Sequence, residues 1–519
     1  MSIKQALISV SDKTGITELA KELQKLNIEI LSTGGTAKTL KDAGIKVIDV
    51  SDYTGFPEMM NGRVKTLHPK IHGGLLALRN NKEHQKQAKE HGITMIDLVI
   101  VNLYPFEQTI AKEGVAEEEA IEQIDIGGPS MLRSAAKNFQ SVTVVTDIND
   151  YEKLLTQIKE SGDTNLEFRR ELALKVFEKT YRYDLAISNY LRGETSENER
   201  LDLGHYEKIM TLRYGENPHQ KAAFFRNPKN EEKCNVTNAK VLHGKQLSFN
   251  NIIDADSALE LVKEFEKPAA VFVKHNNPCG VAQSDDLQKA FEYAHQVDPM
   301  SAFGCIIAIN RPFTLEMANY MNKEKMFAEL IICPAFEKSA LEKLKTRENI
   351  RLLETGPLSI DFKRRDLKKV AGGILVQNAN TYQLKKEELK TVTNAKANET
   401  QIEEMMFAFK VCKHTKSNAI IFAKKLENGV IVTTGIGAGQ MSRVDSTMIA
   451  KHKGGKNVPG SVMASDAFFP FPDSIEVANE AGIKAIIEPG GSIRDDLVIA
   501  KANEYGIAMV FSGIRCFKH

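Results

Sequence analysis

The sequence of 519 residues lacks the cysteine patterns that mark several common classes of protein. Its six cysteines lie far apart, and no two of them form a CxxC pair. This spacing excludes a zinc ribbon and a thioredoxin-like redox motif. It also argues against a disulfide framework, because such frameworks belong mainly to short secreted chains.

An excess of one charge and a long apolar run are also missing. Lys and Arg total 69 and Asp and Glu total 68, which gives a formal net charge of +1. That balance disfavours a protein that binds nucleic acid by electrostatics alone, although a local anion site is compatible with it. No apolar run approaches the roughly 20 residues of a membrane span, and no signal peptide precedes the first strand pattern. We therefore expect a cytoplasmic protein that binds neither nucleic acid nor membrane.

The chain is 42% hydrophobic, which is ample for folded cores, and its length predicts two to four domains. In the first third, short apolar runs alternate with amphipathic stretches. This alternation predicts an α/β layer with a mostly parallel sheet. The predicted strands are 5–10, 28–32, 47–50, 98–103 and 142–146, and the clearest predicted helices are 14–26 and 168–191.

A polar stretch at 192–200 predicts the main domain boundary, which we place between residues 198 and 199. Further apolar runs separated by helical patterns follow it, so the second part is also predicted to be α/β. Its predicted strands are 270–274, 305–310, 330–333, 419–423, 430–434 and 485–488. Two of these, near 274 and near 418, adjoin polar turns, which hints at two related subdomains.

In the first domain, residues 32–36 (STGGT) close a predicted strand and open a helix. Glycines allow the backbone to approach an anion closely, and a helix N-terminus offers unpaired N–H groups, so this turn favours a bound phosphate. A glycine turn with a purely structural role is an equally good interpretation of the motif alone. Ser11 and Lys13 follow the first strand, which in a parallel sheet places them at the same carboxyl edge and strengthens the phosphate interpretation.

Three more clusters in this domain carry chemically useful side chains. They contain Lys65, Tyr104 and Asp125, which could serve as a cation, a proton donor and a carboxylate for acid–base work. Taken singly, each has a simpler interpretation as a solvated charge, a boundary aromatic residue or a helix cap. Lys137, on the helix after Asp125, is the least distinctive of the set.

In the second domain, residues 274–280 (KHNNPCG) follow an apolar strand. Adjacent Lys274 and His275 form a plausible acid–base pair, although a loop with incidental polar residues explains these two residues equally simply. Pro278 and Cys279 resemble part of the zinc deaminase signature. The H-x-E element is absent, however, and Ala282 stands where the second cysteine would fall, which argues against a catalytic zinc.

Longer motifs resemble a known family across nearly the whole chain. Those similar to the cyclohydrolase half of bifunctional purine biosynthesis proteins are SVSDKTG (9–15), STGGTAKTL (32–40), GFPEMMNGRVKTLHP (55–69), NLYPF (102–106) and EQIDIGGPSMLRSAAKN (122–138). Those similar to the formyltransferase half are LRYGENPHQ (212–220), DPMSAFG (298–304), KHTKSNA (413–419), GIGAGQMSRVDS (435–446), SDAFFPF (465–471), EPGGSIRDD (488–496) and IRCFKH (514–519).

The resemblance implies a fold, an activity and an assembly. The expected fold is α/β: a methylglyoxal-synthase-like parallel-sheet domain (1–198), then a formyltransferase domain (199–519) of two cytidine-deaminase-like subdomains split near residue 365. The implied reaction transfers a formyl group from 10-formyltetrahydrofolate, a cosubstrate, to 5-aminoimidazole-4-carboxamide ribotide, and then cyclises the product to inosine monophosphate with loss of water. No tightly bound cofactor is implied, a bound monovalent cation is compatible with the family, and the expected assembly is a homodimer with the formyl-transfer site at its interface.

In the cyclohydrolase site, the resemblance implies that Lys65 stabilises the forming oxyanion, that Tyr104 and Asp125 handle protons, and that Lys137 lies near the carboxamide. The implied ribotide-binding residues there are Ser11, Lys13, Ser32, Thr33, Gly34, Gly35, Thr36, Arg63, Thr66, Asn102, Gly127 and Gly128.

In the formyltransferase site, the resemblance implies that His275 is the base, that Lys274 is its electrostatic or acid partner, and that Asn418 orients the carboxamide or the formyl oxygen. The implied phosphate-binding and pocket residues are Arg213, Tyr214, Asn251, Gly304, Arg443, Phe468, Arg515 and Phe517.

Two other classes of function compete with this one. The first is a phosphate- or ribotide-sensing module of the methylglyoxal-synthase type, fused to a second α/β domain. The second is a zinc-dependent nucleobase deaminase, against which the missing ligands count.

Overall fold

The chain divides into two units, Met1–Leu201 and Asp202–His519. The computed structural model describes residues 2–193, 201, 203, 206–228, 230 and 232–519. The predicted boundary between residues 198 and 199 falls in the stretch 194–200, which lies outside the described residues.

The first unit is built on a five-stranded sheet in which every neighbouring pair is parallel, as predicted. Its strands are β1 (Gln5–Val10), β2 (Glu29–Ser32), β3 (Ile48–Asp49), β4 (Leu98–Asn102) and β5 (Thr143–Val145), in the order β3-β2-β1-β4-β5. The third strand is shorter than its apolar pattern predicts, because Val50 already begins a helix. The carboxyl ends of all five strands meet at one edge.

Helices cover both faces of this sheet. They are α1 (Ile16–Lys25), α2 (Gly34–Asp42), α3 (Val50–Thr54), α4 (Pro69–Leu76), α5 (Lys82–Glu90), α6 (Phe106–Ile110), α7 (Glu117–Glu122), α8 (Gly127–Lys137), α9 (Tyr151–Ser161) and α10 (Leu166–Arg192). Alternate residues of β1 enter different cores: Ala6 and Ile8 pack with α1, whereas Leu7 packs with α8. This alternation follows from the period of two residues in a strand, and it explains why strands buried on both faces are apolar throughout.

The second unit contains a mixed twelve-stranded sheet. Its strands are β8 (Lys240–His243), β9 (Ala269–Lys274), β10 (Asn277–Gln283), β11 (Cys305–Ile309), β12 (Ala328–Cys333), β13 (Arg351–Glu354), β16 (Lys390–Thr391), β17 (Ile420–Lys425), β18 (Ile431–Gly437), β19 (Val462–Ser465), β20 (Ala485–Glu488) and β21 (Ala508–Phe511). Two hairpins stand apart from it, formed by β6 (Glu207–Leu212) with β7 (Ala222–Arg226) and by β14 (Arg365–Val370) with β15 (Gly373–Asn378).

The large sheet is an internal repeat. Its order is β8-β13-β12-β11-β9-β10 in one half and β16-β21-β20-β19-β17-β18 in the other, and the halves join where β10 pairs antiparallel with β18. The helices follow the same repeat, with α11 (Phe249–Val262), α12 (Leu287–Val297), α13 (Leu315–Lys323) and α14 (Lys338–Lys345) matching α15 (Glu399–Lys413), α16 (Arg443–Gly454), α17 (Asp473–Glu480) and α18 (Asp495–Glu504). Residue 365, where we place the subdomain split, is the first residue of β14, which lies between the halves in sequence.

Strand direction brings distant segments to one edge of this sheet. The neighbours β9, β10, β18 and β17 are antiparallel in turn, so β9 ends on the side where β17 begins. Strand β11 also begins there, and β19, β20 and β21 end there. We call this side the shared edge. It gathers the residues after Lys274, before Cys305 and Ile420, and after Ser465, Glu488 and Phe511.

The contact between β18 and α16 yields a prediction about stability. A Cβ added to Gly437 would lie 1.9 Å from the carbonyl oxygen of Ser446, so an alanine there must push α16 away from the sheet. We expect Gly437→Ala to lower the free energy of unfolding by about 2 kcal/mol or more.

The matched control is Gly373→Ala, whose new Cβ would meet Val370 at an ordinary 3.6 Å. This variant should stay within about 0.5 kcal/mol of the parent protein. Urea denaturation of both variants measures the difference, and equal stabilities would contradict the close approach of α16.

Candidate active sites

A cavity of about 540 Å³ opens at the carboxyl edge of the parallel sheet in the first unit. Most of the side chains that the sequence singles out in this unit line it. These are Ser11, Lys13, Thr33, Gly34, Gly35, Thr36, Arg63, Lys65, Thr66, Asn102, Tyr104, Asp125, Gly127 and Gly128. Residues separated by more than 100 positions in sequence therefore share one wall.

One end of the cavity is suited to an anion. Helix α2 begins at Gly34, and the preceding Thr33 is extended, with its hydroxyl 3.3 Å from that of Ser9 and making no cap bond to the helix. A Cβ on Gly34 would lie 3.3 Å from Nζ of Lys65, and one on Gly35 would lie 3.8 Å from Nζ of Lys13. The helix N-terminus therefore lies beside two ammonium groups, an arrangement that favours phosphate.

Asn102 and Thr36 hold the end of β1 in place. Oδ1 of Asn102 accepts hydrogen bonds from the N–H groups of Ser11 (2.5 Å) and Asp12 (3.0 Å), and its Nδ2 donates to the carbonyl of Asp12 (2.8 Å). The Thr36 hydroxyl bonds both the N–H and the carbonyl of Val10. These two side chains therefore shape the turn that presents Ser11.

Lys65 is oriented by two neighbours that the sequence interpretation missed. Its Nζ lies 2.9 Å from Oε1 of Glu58. Gly62 has φ +91, and a Cβ there would lie 2.6 Å from Cε of Lys65, so only glycine leaves room for this side chain. Both neighbours belong to the motif GFPEMMNGRVKTLHP, but their contact with Lys65 depends on the loop conformation.

Asp125 is held at the start of α8. Burial raises the pKa of its carboxyl group, whereas N–H bonds from Gly128 (2.7 Å) and from Tyr104 oppose that rise. Its own N–H donates to the hydroxyl of Tyr183 at 2.8 Å, and that hydroxyl donates to the carbonyl of Gln123 at 2.9 Å. The Tyr104 side chain is 44% exposed. Burial thus favours the protonated form of Asp125, and the phenol of Tyr104 beside it is accessible to a ligand.

An ion pair crosses the mouth of the cavity. Nη2 of Arg63 lies 2.5 Å from Oε2 of Glu122, which raises the pKa of the guanidinium and lowers that of the carboxyl. Both side chains line the cavity and are more than half exposed, so the pair contributes little to stability. Glu122 was quoted only as part of a motif, and no sequence pattern marks it as a partner of Arg63.

Two residues predicted for this site lie elsewhere in the unit. The fully buried hydroxyl of Ser32 donates to the carbonyl of Ile8 at 2.7 Å, so it connects two strands and does not face the cavity. Lys137 is the exposed last residue of α8, ten residues beyond Gly127, or about 15 Å along a helix. Lys137 is not among the residues that line this cavity, and its place near the carboxamide stays a prediction.

In the second unit, Lys274 and His275 end β9 at the shared edge. Nζ of Lys274 donates to the carbonyl of Phe303 at 2.7 Å. His275 and Asn276 have φ of 54 and 63, a left-handed conformation that costs a non-glycine residue roughly 1–2 kcal/mol. Their N–H groups donate to the buried carboxylate of Asp254 on α11, at 3.2 and 2.8 Å. Burial raises the pKa of that carboxyl, and the two N–H bonds oppose the rise.

Asn418 lies across the same edge. Its Nδ2 donates to the carbonyls of Gln440 and Met441, both at 3.0 Å, which fixes the loop before α16. The N–H of Lys416 donates to Oδ1 of Asn277 at 2.9 Å, which links this segment to the turn after β9. The two halves of the repeat thus contribute adjoining parts of one site.

Two of the predicted arginines lie beside the ring of Phe517, which is itself a predicted pocket residue. The guanidinium groups of Arg443 and Arg515 lie 5.6 and 4.6 Å from the ring centre of Phe517. Arg443 also forms a 2.9 Å ion pair with Asp466, which is fully buried and bonded to the hydroxyl of Ser417. The charge of Arg443 is therefore balanced inside the protein, and Arg515 has the guanidinium more suited to a phosphate.

The other predicted residues of this site have mixed positions. Arg213 stacks on Tyr214 with 5.6 Å between the guanidinium and the ring centre, and Gly304 begins the approach to β11 with φ +73. Phe468 is half-buried after β19. Asn251 is buried, and its Oδ1 accepts from the N–H of Ser248 in the capping box of α11, so the structure gives it a helix-capping role, and its pocket-lining role stays a prediction.

Glu488 is an unusual group at the shared edge that sequence reasoning missed. Its side chain is fully buried, Oε2 accepts from the N–H of Phe469 at 2.9 Å, and Oε1 is buried with no hydrogen-bond partner among the described residues. Burial, reinforced by the charge of Asp495, raises its pKa to about 8, although the Phe469 N–H and Arg443 oppose that rise. This carboxyl group is therefore largely protonated at neutral pH.

Over the described ranges, the side chains of His, Cys, Asp and Glu form no cluster of three that could hold a metal ion. No helix among the described residues is long and apolar enough to cross a membrane.

Two α/β units, one with an anion-binding cavity and one with a lysine–histidine pair at a sheet edge, define a two-site enzyme acting on a phosphorylated metabolite. Family comparisons specify the class. The AICARFT/IMPCHase bienzyme family matches residues 135–453, and the MGS-like domain family matches residues 15–130. The chain belongs to the AICARFT/IMPCHase bienzymes, which confirms the family resemblance and the α/β fold expected from it.

Full-length relatives agree with this assignment. The bifunctional purine biosynthesis proteins PurH of Acetivibrio thermocellus and Ruminiclostridium cellulolyticum are each 53% identical to this chain, and that of Bacillus subtilis is 51% identical. In all three alignments the whole of both chains is covered. The chain is therefore a bifunctional enzyme of purine biosynthesis with formyltransferase and cyclohydrolase activities.

The buried Glu488 yields a pH-dependent prediction. The folded state keeps a proton that the unfolded state releases between its ordinary pKa of 4.5 and about 8, so the free energy of unfolding falls as the pH rises through that window. Glu488→Gln removes this dependence. The stability of the variant relative to the parent protein should rise by about 1–3 kcal/mol between pH 5 and pH 8.

Denaturation at several pH values measures this change, and Glu427→Gln, at an exposed site, is the control. A stability difference for Glu488→Gln that is constant across the range would contradict a protonated Glu488.

Proposed function

We propose that this enzyme transfers a formyl group from 10-formyltetrahydrofolate to 5-aminoimidazole-4-carboxamide ribotide in its second unit. Its first unit then cyclises the formylated product to inosine monophosphate with loss of water. The observation that carries the proposal is that each unit of this bienzyme has its own constellation of cationic and acid–base side chains, Lys65 with Asp125 in one and Lys274 with His275 in the other.

Ring closure requires the carboxamide nitrogen to attack the formamide carbonyl, after which water leaves. The attacking nitrogen is a poor nucleophile, so catalysis rests on positioning and on stabilising the oxyanion that forms. The N-terminus of α2 beside Lys13 suits the ribotide phosphate, which leaves Lys65 for the reacting end of the nucleotide. We assign Lys65 to the oxyanion and Asp125 with Tyr104 to proton transfer, because these three side chains line one cavity.

In formyl transfer the nucleophile is an amine whose lone pair is withdrawn by the ring and the carboxamide, so it attacks poorly without a base. The amine attacks the formyl carbon, His275 takes its proton, and Lys274 stabilises the tetrahedral oxygen or protonates the departing folate nitrogen. Both hydrogens of the Asn418 amide are already donated to backbone carbonyls. Its oxygen is the end left for a substrate, so we assign Asn418 to the carboxamide N–H and not to the formyl oxygen.

A homodimer is part of this proposal. The hairpin of β14 and β15 exposes Leu367, Val370, Ile374 and Leu375, the last at 62% exposure. Leu367 and Ile374 lie on one face of the hairpin and Val370 and Leu375 on the other, and exposed apolar side chains of this kind suit contact with a second copy of the chain. A cytoplasmic location and a bound monovalent cation stay predictions, and the cation has no assigned ligands.

The competing functions have less support. A sensing module needs an anion site but not a carboxyl with a raised pKa and an exposed phenol beside it. A zinc deaminase needs a second cysteine, and Ala282 occupies its place in the middle of β10.

The first prediction concerns His275. His275→Ala removes the proposed base, so it should reduce formyl transfer at least about a hundredfold while leaving cyclisation of pre-formylated ribotide unchanged. Both steps can be assayed separately on the purified protein. His452→Ala, at an exposed position on α16, is the control. Loss of both activities in a folded His275 variant would contradict separate sites.

The second prediction concerns Lys65. Lys65→Ala should slow cyclisation by about 10²–10³-fold, because the oxyanion loses its cation. Formyl transfer should continue, so the formylated ribotide accumulates and can be measured by chromatography. Lys89→Ala, an exposed substitution in the same unit, should accumulate none. A Lys65 variant that still produces inosine monophosphate at the parental rate would exclude this role.

A further inference from the structure

One carboxylate, on helix α11, accepts hydrogen bonds from the backbone of the turn that follows Lys274. Asp254, the sixth residue of α11, accepts hydrogen bonds from the N–H groups of His275 at 3.2 Å and Asn276 at 2.8 Å. In the orientation of the Asn276 amide that satisfies both of its ends, its nitrogen also donates to Oδ1 of Asp254 at 3.2 Å. The Asp254 side chain is buried, so these bonds are shielded from water.

The turn needs such support because of its backbone. His275 and Asn276 both have positive φ, at 54 and 63, in a region that residues with a Cβ rarely adopt. Two adjacent residues in this conformation point their N–H groups to the same side, where a carboxylate accepts both. The direction of the His275 side chain therefore depends on Asp254.

The internal repeat provides a second example of this contact. Glu404 is the sixth residue of α15, the helix that matches α11, and its Oε1 accepts from the N–H of Lys425 at 2.7 Å, at the end of the strand that matches β9. The Glu404 side chain is also buried. Strand β17 runs opposite to β9, so this second contact lies at the edge away from Lys274 and His275.

The two carboxylates make the same kind of contact with different surroundings. Lys425 pairs with Glu403 at 2.7 Å, and neither residue belongs to a proposed site. A role confined to folding would apply to Asp254 and Glu404 alike. A role in the reaction would apply to Asp254 alone.

We infer that Asp254 is a positioning residue for formyl transfer, which holds the turn that aims Lys274 and His275 at the reacting carbon. This inference rests on the function proposed for those two residues. It adds that the carboxylate on α11 sets their geometry without touching substrate.

The test compares Asp254→Asn with Glu404→Gln in the full-length protein. An asparagine offers one acceptor oxygen and places an NH2 group against the other N–H, so the turn should shift. We expect kcat for formyl transfer to fall about tenfold or more, because small misplacements of catalytic groups are costly, while KM for the ribotide changes less than about threefold. Cyclisation of pre-formylated ribotide should be unchanged in both variants.

Asp254→Glu is the rescue variant, since the repeat uses a glutamate at the matching position. It should retain more formyl transfer than Asp254→Asn, and it keeps the test valid if the asparagine variant does not fold. Glu404→Gln should match the parent kcat within about twofold: its amide oxygen can still accept from the N–H of Lys425, and the variant removes the charge from a buried hydrogen bond that carries no reacting group.

Four outcomes are informative. Parental kcat in a folded Asp254→Asn protein would overturn the inference, and so would an equal loss in Glu404→Gln. If His275→Ala itself keeps formyl transfer, the proposed site is wrong and not merely its support. A selective loss in Asp254→Asn, with partial recovery in Asp254→Glu, supports the inference.

Discussion

The antiparallel succession of β9, β10, β18 and β17 is the constraint on which the second site depends. If the two halves ran parallel, the end of β9 would lie at the same edge as the end of its copy, β17. Because the halves join antiparallel, the end of β9 lies instead at the edge where β17 begins. Lys274 and His275 therefore adjoin Asn418, although about 140 residues separate them in sequence.

The two units use similar hydrogen bonds to fix the backbone near their reactive side chains. In each unit one carboxyl group accepts hydrogen bonds from two backbone N–H groups: the half-buried Asp125 accepts from Gly128 and Tyr104, and the buried Asp254 accepts from His275 and Asn276. A carboxylate that accepts two N–H groups orients a turn more firmly than a neutral acceptor would, because such bonds are charge-assisted. Rigid supports of this kind suit reactions in which positioning does most of the catalysis.

Much of this arrangement could be predicted from sequence, and the exceptions have physical causes. The strand 5–10 was predicted with its observed bounds, because five of its six residues are apolar or small and a polar turn follows them. Strand β10 was missed, because its first four residues are Asn, Pro, Cys and Gly, a composition typical of a loop. The positions of Glu58, Glu122 and Asp254 beside their partners depend on tertiary structure, and no local pattern reports it. Ser32 and Asn251 were assigned to binding because of their motifs, whereas the fold uses them for a strand contact and a helix cap.

A crystal structure of the protein with 5-aminoimidazole-4-carboxamide ribotide would test the central claim, that each unit has its own nucleotide site, most directly. The account predicts bound ribotide in both units, with phosphate near Lys13 and Gly35 in the first and with the ribotide amine near His275 in the second. Ribotide bound remote from both groups of residues, or in one unit alone at saturating concentration, would contradict it.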